Sequence, residues 1–176
     1  QRLIGCLVPP NRSACIVDVG CGTGGNIGSL TGDYACVGID ASGEAIELAR
    51  SRYPNVRFIC GDAFDCFKDL ASEADLVMLT DVLEHVSNDR AILSDLICAA
   101  RPGTYFLLTV PADPSLWSFH DRSHGHYRRY DRHLLQRVWD GLPVTQMLIS
   151  YFNSRLHPVV KLARALGRLR GKPMGE

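Results

Sequence analysis

With 176 residues, 46% of them hydrophobic, the chain is the size of one domain and can bury a single sizeable core. Lysine plus arginine equals aspartate plus glutamate at 19 each, so no global charge argues for nucleic acid or for an acidic partner. No run has the apolar length of a membrane span and none reads as a signal peptide; the start at Gln1 rather than methionine is what a processed or trimmed piece would show.

In chain order, apolar runs alternate with helix-like stretches. Strands are expected over 14–19, 34–39, 56–60, 74–79, 105–110 and 144–151, and helices over 26–30, 42–51, 88–100 and 131–139. Ser42 and Asn88 are natural N-caps, and Pro102-Gly103 stops the helix before the fifth strand. Such alternation implies an α/β fold, a doubly wound and mostly parallel sheet with helices on both faces. The seven cysteines form no C-x-x-C pair, leave one over, and fall partly inside the apolar runs. They read as reduced core residues of a cytoplasmic protein. No repeat, low-complexity tract or linker is visible, so one domain is expected over 1–176: a ligand-binding core over 14–110, a loop or lid over 111–130, and C-terminal elements over 131–176.

In open sheets of this class, ligands bind outside the carboxyl ends of the strands. After the first strand comes Asp18-Val19-Gly20-Cys21-Gly22-Thr23-Gly24-Gly25, whose glycines let the backbone turn sharply and approach a ligand. After the second comes Gly38-Ile39-Asp40-Ala41-Ser42, where Asp40 is placed to accept from a ribose diol. After the third comes Gly61-Asp62-Ala63, and after the fourth Thr80-Asp81-Val82-Leu83-Glu84-His85-Val86.

This series resembles the class I S-adenosylmethionine-dependent methyltransferases, with Asp75-Leu76-Val77 leading to Thr80-Asp81 and Arg101-Pro102-Gly103 before the fifth strand. The resemblance covers roughly 14–110. Each motif is short, but five in the right order are specific. The resemblance implies a Rossmann-like fold binding S-adenosylmethionine. The loop with Asp18, Gly20, Cys21, Gly22, Gly24 and Asn26 would abut its methionine part. Asp40 and Ala41 would hold the ribose, and Gly61, Asp62 and Ala63 would border the adenine. Thr80, Asp81 and Val82 would flank the sulfonium. The reaction would be in-line displacement at the sulfonium methyl, which needs alignment and often a base but no intrinsic metal.

Two other readings fit the loop. Gly20-x-Gly22-x-x-Gly25 satisfies the dinucleotide fingerprint, with Asp40 near the place of a ribose-binding acid, as in a nicotinamide oxidoreductase. Against it, Asp18 precedes the first glycine by two residues, and Gly61-Asp62-Ala63 supplies an acid that a nicotinamide enzyme does not require. The plainer reading makes the glycines tight turns and the aspartates helix N-terminal acids. A non-catalytic module that only holds the nucleoside is the further alternative.

The stretch from Trp117 to Tyr130 carries candidates for the acceptor: His126, Arg128, Arg129 and Tyr130 follow Gly125 in a Gly-His-x-Arg-Arg-Tyr order. This resembles an element of a bacterial group of small-molecule and lipid-linked methyltransferases, and implies a substrate-facing lid. His126 would be base or orienter, while Trp117, Asp121, Arg128, Arg129 and Tyr130 would hold a small-molecule or lipid-like acceptor. Alternatively the stretch is a solvated loop with arginines paired to Asp121 and Asp131. His120, Asp121, His124 and His126 fit no familiar metal spacing, and no metal is expected. His85 follows Asp81 by four residues and would share its helix face; either could serve as base, or His85 could pack the next helix and Asp81 bind the cofactor's amino group.

Beyond Tyr151, Val159, Leu162, Ala163, Leu166 and Leu169 recur at helical spacing. Arg155, Lys161, Arg164, Arg168, Arg170 and Lys172 supply charge. This basic amphipathic stretch over 155–172 could touch an anionic membrane surface or pack on the sheet or a second copy. The last antiparallel strand usual in this class cannot come from the six residues 171–176. It is then absent, disordered, lost by truncation, or supplied by another copy in a homo-oligomer.

Overall fold

The computed structural model describes residues 2–152 and Lys161. They fall into two compact units, one over 2–82 and 91–109, the other over 83–90 and the described residues from 110 onward. The first unit is built on five parallel strands: β1 (Cys15–Val19), β2 (Ala35–Asp40), β3 (Arg57–Cys60), β4 (Ala74–Thr80) and β5 (Tyr105–Thr109), in the order β3-β2-β1-β4-β5. Helices α1 (Arg2–Leu7), α2 (Gly25–Gly28), α3 (Gly43–Arg52), α4 (Ala63–Lys68) and α5 (Asp89–Ala99) alternate with them.

Successive strand residues face opposite sides, so each strand feeds two cores. Ile16, Cys36, Phe58, Leu76 and Met78 join Ile4, Val8, Ile27, Leu30, Ile46 and Ala49 of α1, α2, α3 and their flanks in one buried cluster. Val17, Val19, Ile39, Val77 and Leu79 turn the other way and are equally buried, as are Phe67 of α4 and Leu93 and Leu96 of α5. Burial on both faces explains why these strands are continuous apolar runs. Helix starts follow from side-chain caps. Ser42 Oγ accepts from Ala45 N at 3.2 Å, and Asp62 Oδ1 accepts from Phe64 N and Asp65 N at 2.9 and 3.1 Å. At the opposite edge, Asp75 accepts from Cys15 N at 2.8 Å and pairs with Arg101, which ties the starts of β1 and β4 to the turn before β5.

The second unit holds a 3-10 turn over Leu83–His85, another over Pro114–Leu116, and helices α6 (Phe119–Ser123) and α7 (Arg132–Trp139). The stretch over 111–130, expected as a loop or lid, carries the two short segments Pro114–Leu116 and Phe119–Ser123 and is closed by a bridge between Ala112 and Tyr130.

Several expectations are corrected. No strand forms over 144–151: the segment lies outside every ladder among the described residues, with Met147 and Leu148 exposed at 68% and 65%. Its apolar residues Met147, Leu148 and Ile149 are consecutive, so a strand here would need cover on both faces, as β1 and β4 have, and Met147 and Leu148 lack it. Its polar atoms bond to α7 instead, Ile149 O accepting from Arg132 at 3.1 Å and Gln146 Oε1 from Gln136 at 2.9 Å. Asp81 and His85 do not share a helix face, because Asp81 has φ 57° and the helical turn after it spans only Leu83–His85. Helices α1 and α4 were not expected. The amphipathic stretch over 155–172 and the segment 171–176 lie outside the described residues except for Lys161, whose Nζ is 3.0 Å from Asp113 Oδ2. Among the described residues no helix is long and apolar enough to cross a membrane.

Gly38 marks where β2 touches its neighbours most closely: a Cβ there would lie 2.7 Å from the Phe58 ring and 2.8 Å from Cys21 Sγ. Gly38→Ala is expected to cost about 1–3 kcal/mol by overpacking, read as a lower midpoint in a thermal or urea melt. An unchanged midpoint would refute the close contact.

Candidate active site

Strand order reverses between β1 and β4, so the connections leaving β1 and β4 diverge and open a crevice at their carboxyl ends. The loop after β1 enters it with Gly20, Gly22 and Gly24 at φ 75°, 52° and 79°, conformations that only glycine adopts without strain. It is held from below, with Gly20 N and Cys21 N donating to Ile39 O at 2.8 and 3.0 Å, and Gly24 N to Cys21 O at 2.9 Å. A Cβ at Gly20 would strike Val82 at 2.6 Å, whereas one at Gly22 would meet nothing within 4 Å. The loop therefore packs on the β4 end at one glycine and leaves open space at the next.

Asp40 ties the second strand end to the first. Its Oδ2 accepts from Gly22 N at 2.7 Å and its Oδ1 from Ser42 N at 2.8 Å. An ionised carboxylate offers about four acceptor positions, so two remain for hydroxyls of a ligand. Ala41 is exposed beside it. Gly61 N donates to Asp40 O at 3.0 Å, which brings the third strand end alongside, with Asp62 exposed and capping α4 and Ala63 as its first residue. From β4, Thr80 Oγ1 accepts from Asn26 Nδ2 at 2.9 Å. Asp81 is fixed in its left-handed conformation by its N–H to Thr109 O at 3.0 Å and by Thr109 Oγ1, which donates to its carboxylate at 3.3 Å. Every residue expected to bind the cofactor thus lies at one edge of the sheet in the first unit.

Asp18 is fully buried, and neither carboxylate oxygen has a hydrogen-bond partner among the described residues. Burial, with the nearby Asp40 charge adding to it, pushes its carboxyl up to about 7. The same causes, with burial first and Asp18 and Asp40 adding, push the Cys21 thiol up to about 12. A buried carboxyl without a donor is costly to keep. Beside open space over Gly22 and spare acceptor positions on Asp40, it fits a ligand bearing an amine and a ribose, as S-adenosylmethionine does.

In the second unit the organising group is Asp121, also fully buried. Its Oδ1 accepts from Arg129 Nε at 2.6 Å, and its Oδ2 from Ser118 N and Oγ at 2.8 and 3.0 Å. Burial alone would raise this carboxyl, but the bonds from Arg129 and Ser118 outweigh it and hold it below the usual carboxylate value. His126 Nδ1 lies 3.3 Å from the same Oδ1, so an N–H on Nδ1 can donate to it. His85 meets the His126 ring edge to face, with centroids 4.6 Å apart. Arg128 pairs with Asp89 at 2.8 Å and donates to Ser87 O at 2.6 Å. Tyr130 is buried and donates to Asp89 at 2.7 Å, and burial followed by that bond raises its pKa.

The arginines and Tyr130, expected to grip a substrate, therefore each hold a partner inside this unit. Asp121 is no member of a solvated loop, and Asp131 caps α7 through Leu134 N at 2.8 Å. Trp117 ends the 3-10 turn before α6, half-buried. Glu84, which sequence reasoning passed over, is buried, and its carbonyl accepts from Tyr127 N at 2.7 Å, joining the 83–85 turn to the His126 segment. An acid within an otherwise apolar run before a histidine was the available signal.

Two outcomes follow. An Asp with a raised folded pKa makes the folded state bind a proton that the unfolded state releases, so without ligand stability falls as pH rises from about 4 to about 7 and levels above. Asp18→Asn should flatten that slope in urea melts across this range; an unchanged slope would reject the assignment. Asp121→Ala leaves Arg129 without its buried partner and should cost about 3–5 kcal/mol, measured by the same melts; a loss under 1 kcal/mol would mean the pair is solvated.

Comparison with known proteins bears on this arrangement. The sequence profile of the family described as "Methyltransferase domain" matches residues 2–157. The chain is similar to O-methyltransferase cnsE of Penicillium expansum, 31% identical over 61% of this chain and 41% of that protein. It is also similar to trans-aconitate 2-methyltransferase of Azoarcus sp., 28% identical over 59% of this chain and 42% of that one. It thus spans less than half the length of these relatives. Among solved structures, the YcgJ protein of Bacillus subtilis superposes with a TM-score of 0.69, at 20% identity over 85% of this chain and 69% of the other, a likeness of fold. With a family match over most of its length and a sheet of the corresponding kind, the chain belongs to the methyltransferase-domain family.

Proposed function

We propose that the protein binds S-adenosylmethionine at the carboxyl edge of its sheet and transfers the methyl group to a small-molecule acceptor. The observation that carries this reading is the set of unfilled acceptor positions in one crevice: the buried Asp18 carboxyl without a donor, and Asp40, which spends one position of each oxygen on backbone N–H groups. Family membership supports a methyl donor over a nicotinamide dinucleotide.

When bound, the cofactor supplies a methyl group made electrophilic by a sulfonium. The chain's own residues hold and orient it. The Gly20 to Gly24 backbone offers close approach, Asp18 accepts from the amine, Asp40 accepts from the ribose hydroxyls, and Asp62 and Ala63 border the base. Thr80, Asp81 and Val82 bound the crevice on the β4 side. We assign handling of the acceptor to His85 and His126, with Asp121 positioning His126 and with Trp117, Arg128, Arg129 and Tyr130 shaping its surroundings. A lipid-like acceptor, a place in the group with the Gly-His-x-Arg-Arg-Tyr element, and a cytoplasmic setting inferred from cysteine usage belong to the same proposal.

Calorimetric titration with S-adenosylhomocysteine and with a nicotinamide dinucleotide tests the donor side. Tighter binding of the first is expected; tighter binding of the second would overturn the reading. Gly22→Ala projects a methyl into the open space and places a side chain at φ 52°. It should weaken S-adenosylhomocysteine binding at least about tenfold, a loss near 1.4 kcal/mol, while the protein stays folded. Transfer from labelled donor to a panel of phenols, carboxylates, amines and prenyl quinones tests the acceptor side. Binding of the donor with no transfer to any of them would leave a nucleoside-holding module instead of an enzyme.

A further inference from the structure

The second unit brings His126 to a pair of side chains, Glu84 and His85, that lie some forty residues earlier in the sequence. Glu84 and His85 lie on the 3-10 turn Leu83–His85, and His126 follows α6; one donor atom from each lies within 4.8 Å of the others. We propose that these three residues bind a divalent transition-metal ion of the zinc class, with Asp121 as the outer carboxylate behind His126.

The chemistry of the set selects the ion. Two imidazoles and one carboxylate suit Zn²⁺, Co²⁺ or Fe²⁺, whereas Mg²⁺ and Ca²⁺ prefer oxygen donors. Three protein ligands leave at least one coordination position for water or for an anionic oxygen of a small molecule, the pattern of a working site and not of a closed structural one. Bonds of about 2.0–2.1 Å in a tetrahedron put donors roughly 3.3 Å apart. The present cluster therefore needs to close by only about an ångström and a half, for which the exposed His85 has room.

The outer shell is already built. A ligating histidine commonly turns its second nitrogen to a carboxylate, which fixes the tautomer and raises the basicity of the first. His126 Nδ1 faces Asp121 at 3.3 Å, and Asp121 is held in turn by Arg129 Nε at 2.6 Å and by Ser118. The two ligand-bearing segments are fastened to each other by Tyr127 N to Glu84 O at 2.7 Å and by the contacts of Arg128 and Tyr130 to Asp89 and Ser87. That scaffold gives these buried groups a purpose that a substrate clamp does not require. The metal site deepens the assignment of acceptor handling to His85 and His126, but it stands whether or not methyl transfer does, because binding of the ion is read without donor or acceptor.

The test uses untagged protein, stripped with chelator and titrated with Co²⁺ followed by its visible absorption, and with Zn²⁺ by calorimetry. One ion per chain is expected, with nitrogen and oxygen ligation and a rise in melting temperature through mass action. His85→Ala, at an exposed position, keeps the fold and should abolish saturable binding and the thermal shift, as should His126→Ala and Glu84→Gln. Asp121→Asn should weaken binding roughly 10–100-fold, and His133→Ala should leave it unchanged. Absence of one-to-one binding by the wild-type protein overturns the proposal. So does binding that survives His85→Ala and His126→Ala, a thiolate band placing Co²⁺ on cysteine, or Mg²⁺ competing at equal concentration. If the ion binds as described while S-adenosylhomocysteine does not, the donor reading fails alone.

Discussion

A parallel ladder forbids a strand from turning directly back into its neighbour, and the first unit is organised by that constraint. Each connection must leave β1, β2, β3 and β4 at their carboxyl ends and return to the opposite edge through a helix. Four outgoing turns are thereby collected along one edge, whatever their sequences. The Gly22 N–H to Asp40 bond and the Gly61 N–H to Asp40 carbonyl then lock three of them together. The crevice is a product of topology first and of side-chain chemistry second. The Asp75 and Arg101 clamp performs the converse service at the other edge, where it aligns the strand starts.

The second unit follows a different logic. Among its described residues there is no sheet, and their order comes from buried charge. Asp121 sits at zero exposure and receives hydrogen bonds from Arg129 and Ser118. Removing any one leaves the others buried and incompletely paired, which is far costlier than losing a surface ion pair. Arg128 and Tyr130 converge on Asp89 in the same manner. Within Gly125 to Tyr130, Arg128, Arg129 and Tyr130 thus hold a short irregular segment in place, and His126 is the one whose ring they bring against His85.

Much of the first unit was legible because its signals are local. Apolar runs of strand length, Ser42 as a cap, and glycines at strand ends act within a few residues, so Asp18, Gly22, Asp40 and Thr80 could be gathered at one edge by topology alone. The lone pairs left on Asp40 and the orphaned Asp18 carboxyl were not legible, since they depend on how β1 and β2 are registered. Helix α4 was missed because six residues carry too little periodicity. The segment over 144–151 misled because hydrophobicity without alternation resembles a buried strand. In the second unit several partners are distant in sequence: Arg128 and Tyr130 with Asp89, Tyr127 with Glu84. Spacing within one stretch cannot reveal a pairing across some forty residues, so Arg128 and Tyr130 looked like substrate contacts when each already had an internal partner.

The cysteines acquire a meaning beyond packing. Cys15, Cys21 and Cys36 are buried and their thiols are pushed upward by burial above all, whereas Cys6, Cys60 and Cys98 are exposed. At neutral pH the buried thiols hold almost no thiolate, the form that reacts. Alkylation of Cys60 consequently reports solvent access at the end of β3, while alkylation of Cys21 has to wait for the glycine loop to lift, and that of Cys15 and Cys36 for the sheet to part. The chain carries its own set of clocks for local and global opening, distributed from the rim of the crevice to the centre of the ladder.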